Sequence, residues 1–219
     1  METRVSSNSV AADLLAYGRE RVTRWRIASL ALLVTGTAFL VDPPLDGGDA
    51  LLRAGLAFLL IAQFRVWDDL ADRAYDSAHH PARVLARSAT TARFWALFAT
   101  LSAGAVFAVG KAGSIAAISI LAGLMALLAA VYHGPWHFPR DRFVRSQAVL
   151  LKYPAFIVLL TASGPSRRAI LGGAIVYLLL SVYEWRDDPA MRATRAGGRI
   201  LVVLAVAVVV AVVLAAGPR

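Results

Sequence analysis

The 219-residue chain contains no cysteine, and only 17% of its residues are charged. The lack of cysteine excludes disulfide frameworks, thiolate metal sites and cysteine nucleophiles. A soluble domain is roughly 45–50% apolar and about 25% charged, whereas this chain is 58% apolar. The mean hydropathy of +0.63 also excludes a disordered chain. The remaining class is an integral membrane protein.

Sequence fingerprints of soluble enzymes and nucleic-acid binders are also missing. The chain has no Walker, Gly-x-Ser-x-Gly, dinucleotide-binding, RNP-like or zinc-finger pattern. The formal net charge is +9, but the 23 basic residues fall almost wholly between long apolar runs. This placement is typical of loops that flank membrane spans. We therefore expect a membrane, and no nucleic acid, as the surrounding partner.

Apolar segments of about 17 to 21 residues predict an all-α integral membrane protein with seven transmembrane helices. The segments lie at about 23–41, 50–66, 92–110, 112–132, 147–163, 168–184 and 199–216. Pro154 is expected to kink the fifth helix. Residues 1–22 are polar and are predicted to form a cytoplasmic N-terminal arm of one domain that covers 1–219.

The distribution of basic residues predicts the orientation. With the N-terminus in the cytoplasm, 18 of the 23 basic residues and all three long loops share the cytoplasmic side. Arginine outnumbers lysine by 21 to 2, which is typical of a GC-rich bacterial genome. We therefore expect a bacterial inner-membrane protein.

Seven of the 14 acidic residues form two clusters at the predicted cytoplasmic ends of the second and sixth spans. The first cluster is Asp68, Asp69, Asp72 and Asp76, and the second is Glu184, Asp187 and Asp188. If the second helix continues past residue 66, the i, i+3, i+7 spacing of residues 69, 72 and 76 places three carboxylates on one face. Carboxylates so close together repel one another unless a positive charge lies between them.

Two interpretations of these clusters are open. Mg²⁺ prefers oxygen ligands and typically takes one or two carboxylates together with substrate phosphates. Basic side chains predicted on the same side could hold a polyanion; they are Arg65, Arg73, Arg83, Lys152 and Arg186. Alternatively, the acids are solvated loop charges that neighbouring arginines neutralise. Ionisable groups that border a span favour the functional interpretation.

The segment from Asp68 to Asp76, D-D-L-A-D-R-A-Y-D, resembles the first aspartate-rich motif of the UbiA-type intramembrane prenyltransferases, N-D-x-x-D-x-x-x-D. His80-Pro81-Ala82-Arg83 is similar to the Arg-Pro region that follows this motif in the family. Glu184-x-x-x-Asp188 is similar to the second motif, D-x-x-x-D. Members commonly have nine spans, so this chain resembles a short, seven-span member.

The resemblance implies a helical bundle around a central cavity open to the cytoplasm. Mg²⁺ ions would bridge the two acid clusters and bind a prenyl diphosphate. The implied catalytic residues are Asp69, Asp72, Asp76, Glu184 and Asp188, with Asp68 and Asp187 as supporting metal ligands. The residues implied to contact the diphosphate are Arg73, Arg83, Lys152 and Arg186. Trp67, Tyr132 and Trp185 are expected to line the cavity.

The function implied by the resemblance is Mg²⁺-dependent transfer of an isoprenoid to a lipid or small aromatic acceptor. A terpene cyclase on the same scaffold, which needs no acceptor, is the first alternative. A non-catalytic scaffold or transporter is the second. Because two family helices are missing, a second subunit of a homo-oligomer is one way to complete the cavity.

Overall fold

The computed structural model describes residues 7–22, 25–111, 115–134, 142–162, 164–192 and 195–216. Over these residues the chain forms twelve α-helices and no β-strand. The helices are α1 Ser7–Val22, α2 Trp25–Val41, α3 Gly47–Ala71, α4 Arg73–His79, α5 Val84–Arg87, α6 Ala92–Lys111, α7 Ile115–His133, α8 Arg142–Leu150, α9 Lys152–Leu159, α10 Arg167–Asp187, α11 Pro189–Arg192 and α12 Arg195–Ala216. The all-helical prediction is confirmed.

Four helices in the described ranges are long and apolar enough to cross a membrane. They are α3, α6, α7 and α10, which contain 25, 20, 19 and 21 residues. These helices coincide with the second, third, fourth and sixth predicted spans. Shorter apolar stretches, Ile27–Val41 in α2 and Gly197–Ala211 in α12, occupy the places of the first and seventh. A total of seven spans stays a prediction.

The fifth predicted span is interrupted. It is divided at Leu151 into α8 and α9, and Pro154 is the third residue of α9. Proline has no N–H to donate to the carbonyl of Leu150, and its ring crowds that carbonyl. The predicted distortion is confirmed as a break one turn before the proline.

The chain divides into two compact units. Unit 1 comprises Met1–Leu32 and Ala54–Ala108, and unit 2 comprises Leu33–Arg53 and Val109–Arg219. The prediction of one domain over 1–219 stays a prediction.

Unit 1 has an apolar core to which α1 contributes directly. Tyr17 is buried with Val66, Leu70, Leu85 and Phe94. The rings of Tyr17 and Phe94 meet edge to face with their centroids 5.3 Å apart. Residues 7–22 of the predicted N-terminal arm therefore form the packed helix α1.

In unit 2, the Gly172-Gly173 pair allows α10 to approach its neighbours closely. A Cβ atom at position 172 would lie 2.8 Å from Cγ2 of Val41 on α2. A Cβ atom at position 173 would lie 2.9 Å from Cβ and 3.1 Å from Cα of Pro154 on α9. Small residues permit this backbone approach between membrane helices, so these glycines fix how α2, α9 and α10 pack.

Candidate functional site

Asp69 of the first acid cluster lies in the last turn of α3 and is only 3% exposed. The Tyr17 hydroxyl donates to its Oδ2 at 2.8 Å. Arg21 Nη2 donates to its Oδ1 at 3.0 Å, and Arg21 Nε lies 2.8 Å from Oδ2. Arg65, one helical turn earlier, places Nη2 2.9 Å from Oδ1. Both carboxylate oxygens of Asp69 therefore face donors of this chain.

These contacts determine the protonation of the Tyr17 phenol, which lies outside the long apolar helices. Its burial raises the pKa of the phenol well above the ordinary value of about 10, and the adjacent Asp69 carboxylate raises it further. Tyr17 therefore remains a neutral hydrogen-bond donor to Asp69 over the physiological pH range.

Asp76 is the second buried carboxylate of the cluster, at 4% exposure. Arg83 Nη1 donates to its Oδ1, and Arg21 Nη2 lies 3.9 Å from its Oδ2. Arg21 thus lies between Asp69 and Asp76 and offsets the repulsion of the two carboxylates.

The other two acids of the first cluster lie in different environments. Asp68 is half-buried on α3, whereas Asp72 is exposed at the junction between α3 and α4. The helical spacing predicted a shared face for residues 69, 72 and 76. Asp69 and Asp76 are brought together around Arg21, whereas the Asp72 carboxylate reaches solvent.

Arg73 has a local structural contact. Its Nη2 donates to the Ser88 carbonyl at 3.0 Å, and its Nε donates to the Leu85 carbonyl at 3.4 Å. These bonds hold the segment around α5 against α4. Diphosphate binding by Arg73, predicted from the sequence, would have to use its remaining guanidinium nitrogen or break these bonds.

The second acid cluster lies at the end of α10 in unit 2. The Ser146 hydroxyl on α8 donates to Oε2 of the half-buried Glu184. Asp187 is exposed at the last residue of α10, and Asp188 caps the helix with its backbone N–H bonded to the Glu184 carbonyl. One turn earlier, the buried Ser181 hydroxyl donates to Gln147 Oε1 at 2.8 Å.

The predicted basic groups of unit 2 differ in burial. Lys152, the first residue of α9, is 3% exposed, and its ammonium lies 5.5 Å from the centre of the Tyr153 ring. Arg186 is exposed in the last turn of α10. A buried ammonium favours an anionic or aromatic neighbour, and the Tyr153 ring is such a neighbour of Lys152. Contact of Lys152 with a diphosphate stays a prediction.

The three aromatic residues predicted to line a cavity also differ. Trp67 is buried within unit 1, with its ring centre 6.0 Å from that of Phe64 and 5.0 Å from that of Phe98. Tyr132 is half-buried near the end of α7. Trp185 packs on the cluster of Phe143, Met191 and Leu201 in unit 2. The cavity itself stays a prediction.

The two acid clusters offer carboxylate oxygens, which are the protein ligands that Mg²⁺ prefers. Among the residues with described side chains, no group of three or more histidine, aspartate or glutamate side chains is arranged to hold a metal ion. Asp69 could ligate a metal only if Arg21 and Arg65 released its oxygens. Asp68 is half-buried and Asp72 is exposed, so solvent reaches these two acids of the first cluster.

Sequence reasoning missed Tyr17 and Arg21, which complete the first cluster from α1. Their i, i+4 spacing, with Glu20 between them, places two polar groups on one helical face. Glu20 also reaches across unit 1, and its Oε2 accepts from the backbone N–H of Val84 at 2.8 Å. This run of polar residues in an apolar chain was the available signal.

No protein family, curated protein or solved structure matches the chain in comparisons with known proteins.

Proposed function

We propose that the chain is a Mg²⁺-dependent intramembrane prenyltransferase, which transfers an isoprenoid from a prenyl diphosphate to a lipid or small aromatic acceptor. One observation carries the proposal: both acid clusters end span-length apolar helices. Asp68 and Asp69 lie in the last turn of α3, and Glu184 and Asp187 lie in the last turn of α10. The motif resemblance at these same positions supports it.

The proposed reaction breaks the allylic C–O bond of the prenyl diphosphate. Diphosphate leaves with the bonding electron pair, and the allylic carbocation then alkylates the acceptor, which loses a proton. Bound Mg²⁺ would supply charge neutralisation of the diphosphate, and Asp72 and Asp188 are the ligands we propose first. Arg83 and Lys152 would stabilise the negative charge that develops on the leaving group.

The other residues position these groups and exclude water. Ser146 orients the Glu184 carboxylate through its hydrogen bond. Arg21 positions Asp69 and Asp76 without contacting substrate. Trp67 would keep water from the carbocation, since a dry apolar wall suppresses hydrolysis of a reactive intermediate.

A second candidate is a non-catalytic membrane scaffold, in which the only role of the first acid cluster is to hold α1 against α3. The pairing of Asp69 with Arg21 and Arg65 favours it, because each of these contacts is explained by packing alone. The two candidates differ in one respect: a scaffold releases no diphosphate.

The test is release of diphosphate from a prenyl diphosphate by the purified full chain, with Mg²⁺ or with excess chelator, and with or without an aromatic acceptor. We expect Mg²⁺-dependent release that falls by at least about 100-fold in Asp72→Ala and in Asp188→Ala. Asp46→Asn is the matched control, because Asp46 is an exposed acid just before the opposite end of α3.

Each outcome of this assay separates the candidates. Prenylated acceptor supports the prenyltransferase, and a terpene hydrocarbon or alcohol formed without acceptor supports the cyclase. Diphosphate release that is absent, or that is unchanged in both alanine variants, contradicts both enzymes and leaves the scaffold.

A further inference from the structure

Unit 1 contains an open groove of about 690 Å³ between α1 and residues 82–87. Basic side chains line it from both sides: Arg19 from α1, and Arg83 and Arg87 from the opposite segment. Among the described lining residues, Glu20 is the one acid. By formal charge these described residues are positive by two, from three arginines and one glutamate.

The acid in the lining is already engaged. Oε2 of Glu20 accepts from the Val84 N–H at 2.8 Å, and Oε1 lies 3.9 Å from Arg21 Nε. Arg83 is paired with Asp76. Arg87 is exposed, and it forms no ion pair with any side chain in the described part of the chain. Arg19 also has a contact of its own within the chain, so the net positive charge of the groove is the formal charge of its described lining residues.

The groove also has an apolar wall. Leu15 lies one turn before Arg19 on α1 and is 63% exposed, and Ala12 continues the wall towards the N-terminus. Ala82, which is exposed, contributes apolar surface from the opposite side. An apolar strip beside two arginines matches a ligand with a phosphate group on an apolar body.

The position of the groove places it at the end of a span-length helix. α1 packs on the first turn of α6, through the Tyr17–Phe94 contact and an ion pair between Asp13 Oδ2 and Arg93 Nη1 at 2.6 Å. Trp95 in this same turn is 40% exposed, and exposed tryptophans at span ends mark the lipid headgroup level. The groove therefore lies where lipid phosphates lie.

We propose that this groove binds the phosphate headgroup of an anionic membrane lipid. The guanidinium groups of Arg19 and Arg87 hold the phosphate oxygens, since arginine matches phosphate with paired donors. The start of an acyl chain lies along Leu15. The groove shares Arg83 with the proposed diphosphate contacts, but Arg19 and Arg87 have no part in the proposed prenyl transfer, and lipid binding requires neither acid cluster to bind metal.

The test measures binding of short-chain phosphatidylglycerol to the purified full chain in neutral detergent. Phosphatidylcholine of the same chain length and inorganic phosphate are the comparison ligands. We expect phosphatidylglycerol to bind at least tenfold more tightly than either. Arg19→Gln and Arg87→Gln should each weaken phosphatidylglycerol binding about fivefold. Arg168 is an exposed arginine in unit 2, and Arg168→Gln should change this affinity less than twofold.

Ala12→Trp fills the groove without changing its charge and should weaken phosphatidylglycerol binding at least tenfold, so it decides the test if the arginine variants fail to fold. Equal binding of phosphatidylcholine, or of inorganic phosphate, overturns the assignment to an anionic lipid. Equal losses in Arg168→Gln and the groove variants, or full affinity in Ala12→Trp, overturn the assignment to this groove.

Discussion

At the residue scale, Asp69 is a nearly inaccessible carboxylate whose charge is balanced within its own unit. Arg21, Arg65 and the Tyr17 hydroxyl satisfy its two oxygens. Taking charges out of water is costly, and the geometry here compensates with several short contacts. Removing one member leaves its partners buried without compensation.

Asp69→Ala should therefore destabilise the protein by about 3–5 kcal/mol, because it leaves Arg21 buried without its main partner. Asp187→Ala is the control, since that carboxylate is exposed, and it should change the free energy of unfolding by less than about 0.5 kcal/mol. The measurement is reversible unfolding in detergent micelles. Equal stability of the two variants would contradict the buried cluster.

Tyr17 should stay protonated at alkaline pH, because burial and Asp69 raise its pKa. Its contribution to stability is fully present below the ordinary phenol pKa near 10 and is lost as the pH rises towards the raised value. Phenolate absorbance of the wild type and of Tyr17→Phe should therefore be equal at pH 11. One additional titrating phenol in the folded wild type would show that Tyr17 is accessible.

Sequence reasoning found the acids of this cluster but not the tyrosine and the arginine that α1 adds to it. The carboxylates stand out because they end an apolar run. The pairing of Tyr17 with Asp69 joins residues 52 positions apart, and no local pattern specifies such a contact. Interpreting residues 1–22 as an arm hid the fact that α1 brings a buried arginine to the cluster.

At the element scale, apolar length predicts where helices lie but not where they break or touch. The second, third, fourth and sixth predicted spans are continuous helices, because nothing in them blocks the backbone hydrogen bonds. The fifth breaks at Leu151 near Pro154. The close contact of α9 with α10 depends on Gly173. A glycine in an apolar run does not indicate which helix packs against it.

Gly173→Ala should destabilise unit 2 by about 1–3 kcal/mol, because the added methyl meets the Pro154 backbone, which cannot move aside as a flexible side chain would. Gly123→Ala on α7 is the matched control, since nothing lies within 4 Å of the added atom. It should be neutral or stabilising by up to about 1 kcal/mol. Thermal unfolding of both variants in the same detergent checks the difference, and equal midpoints would argue against close packing of α9 on α10.

At the scale of the whole molecule, one acid cluster belongs to each compact unit. The motif resemblance predicted that the clusters act together, and the sequence contains nothing that fixes how two helix ends approach each other. Helix packing depends on many weak side-chain contacts, which hydropathy does not encode. The central claim is therefore the function that we propose, in which Mg²⁺-dependent binding of a prenyl diphosphate needs carboxylates of both clusters.

Mg²⁺-dependent binding of a prenyl thiodiphosphate to the wild type, Asp72→Ala, Asp188→Ala and the double variant tests this claim most directly. If both carboxylates serve one ligand, each single change should weaken binding at least tenfold, and the double variant should lose clearly less than the product of the two. The expected coupling is at least about 1 kcal/mol. Losses that multiply as for independent sites, or wild-type affinity in either single variant, would contradict a shared site.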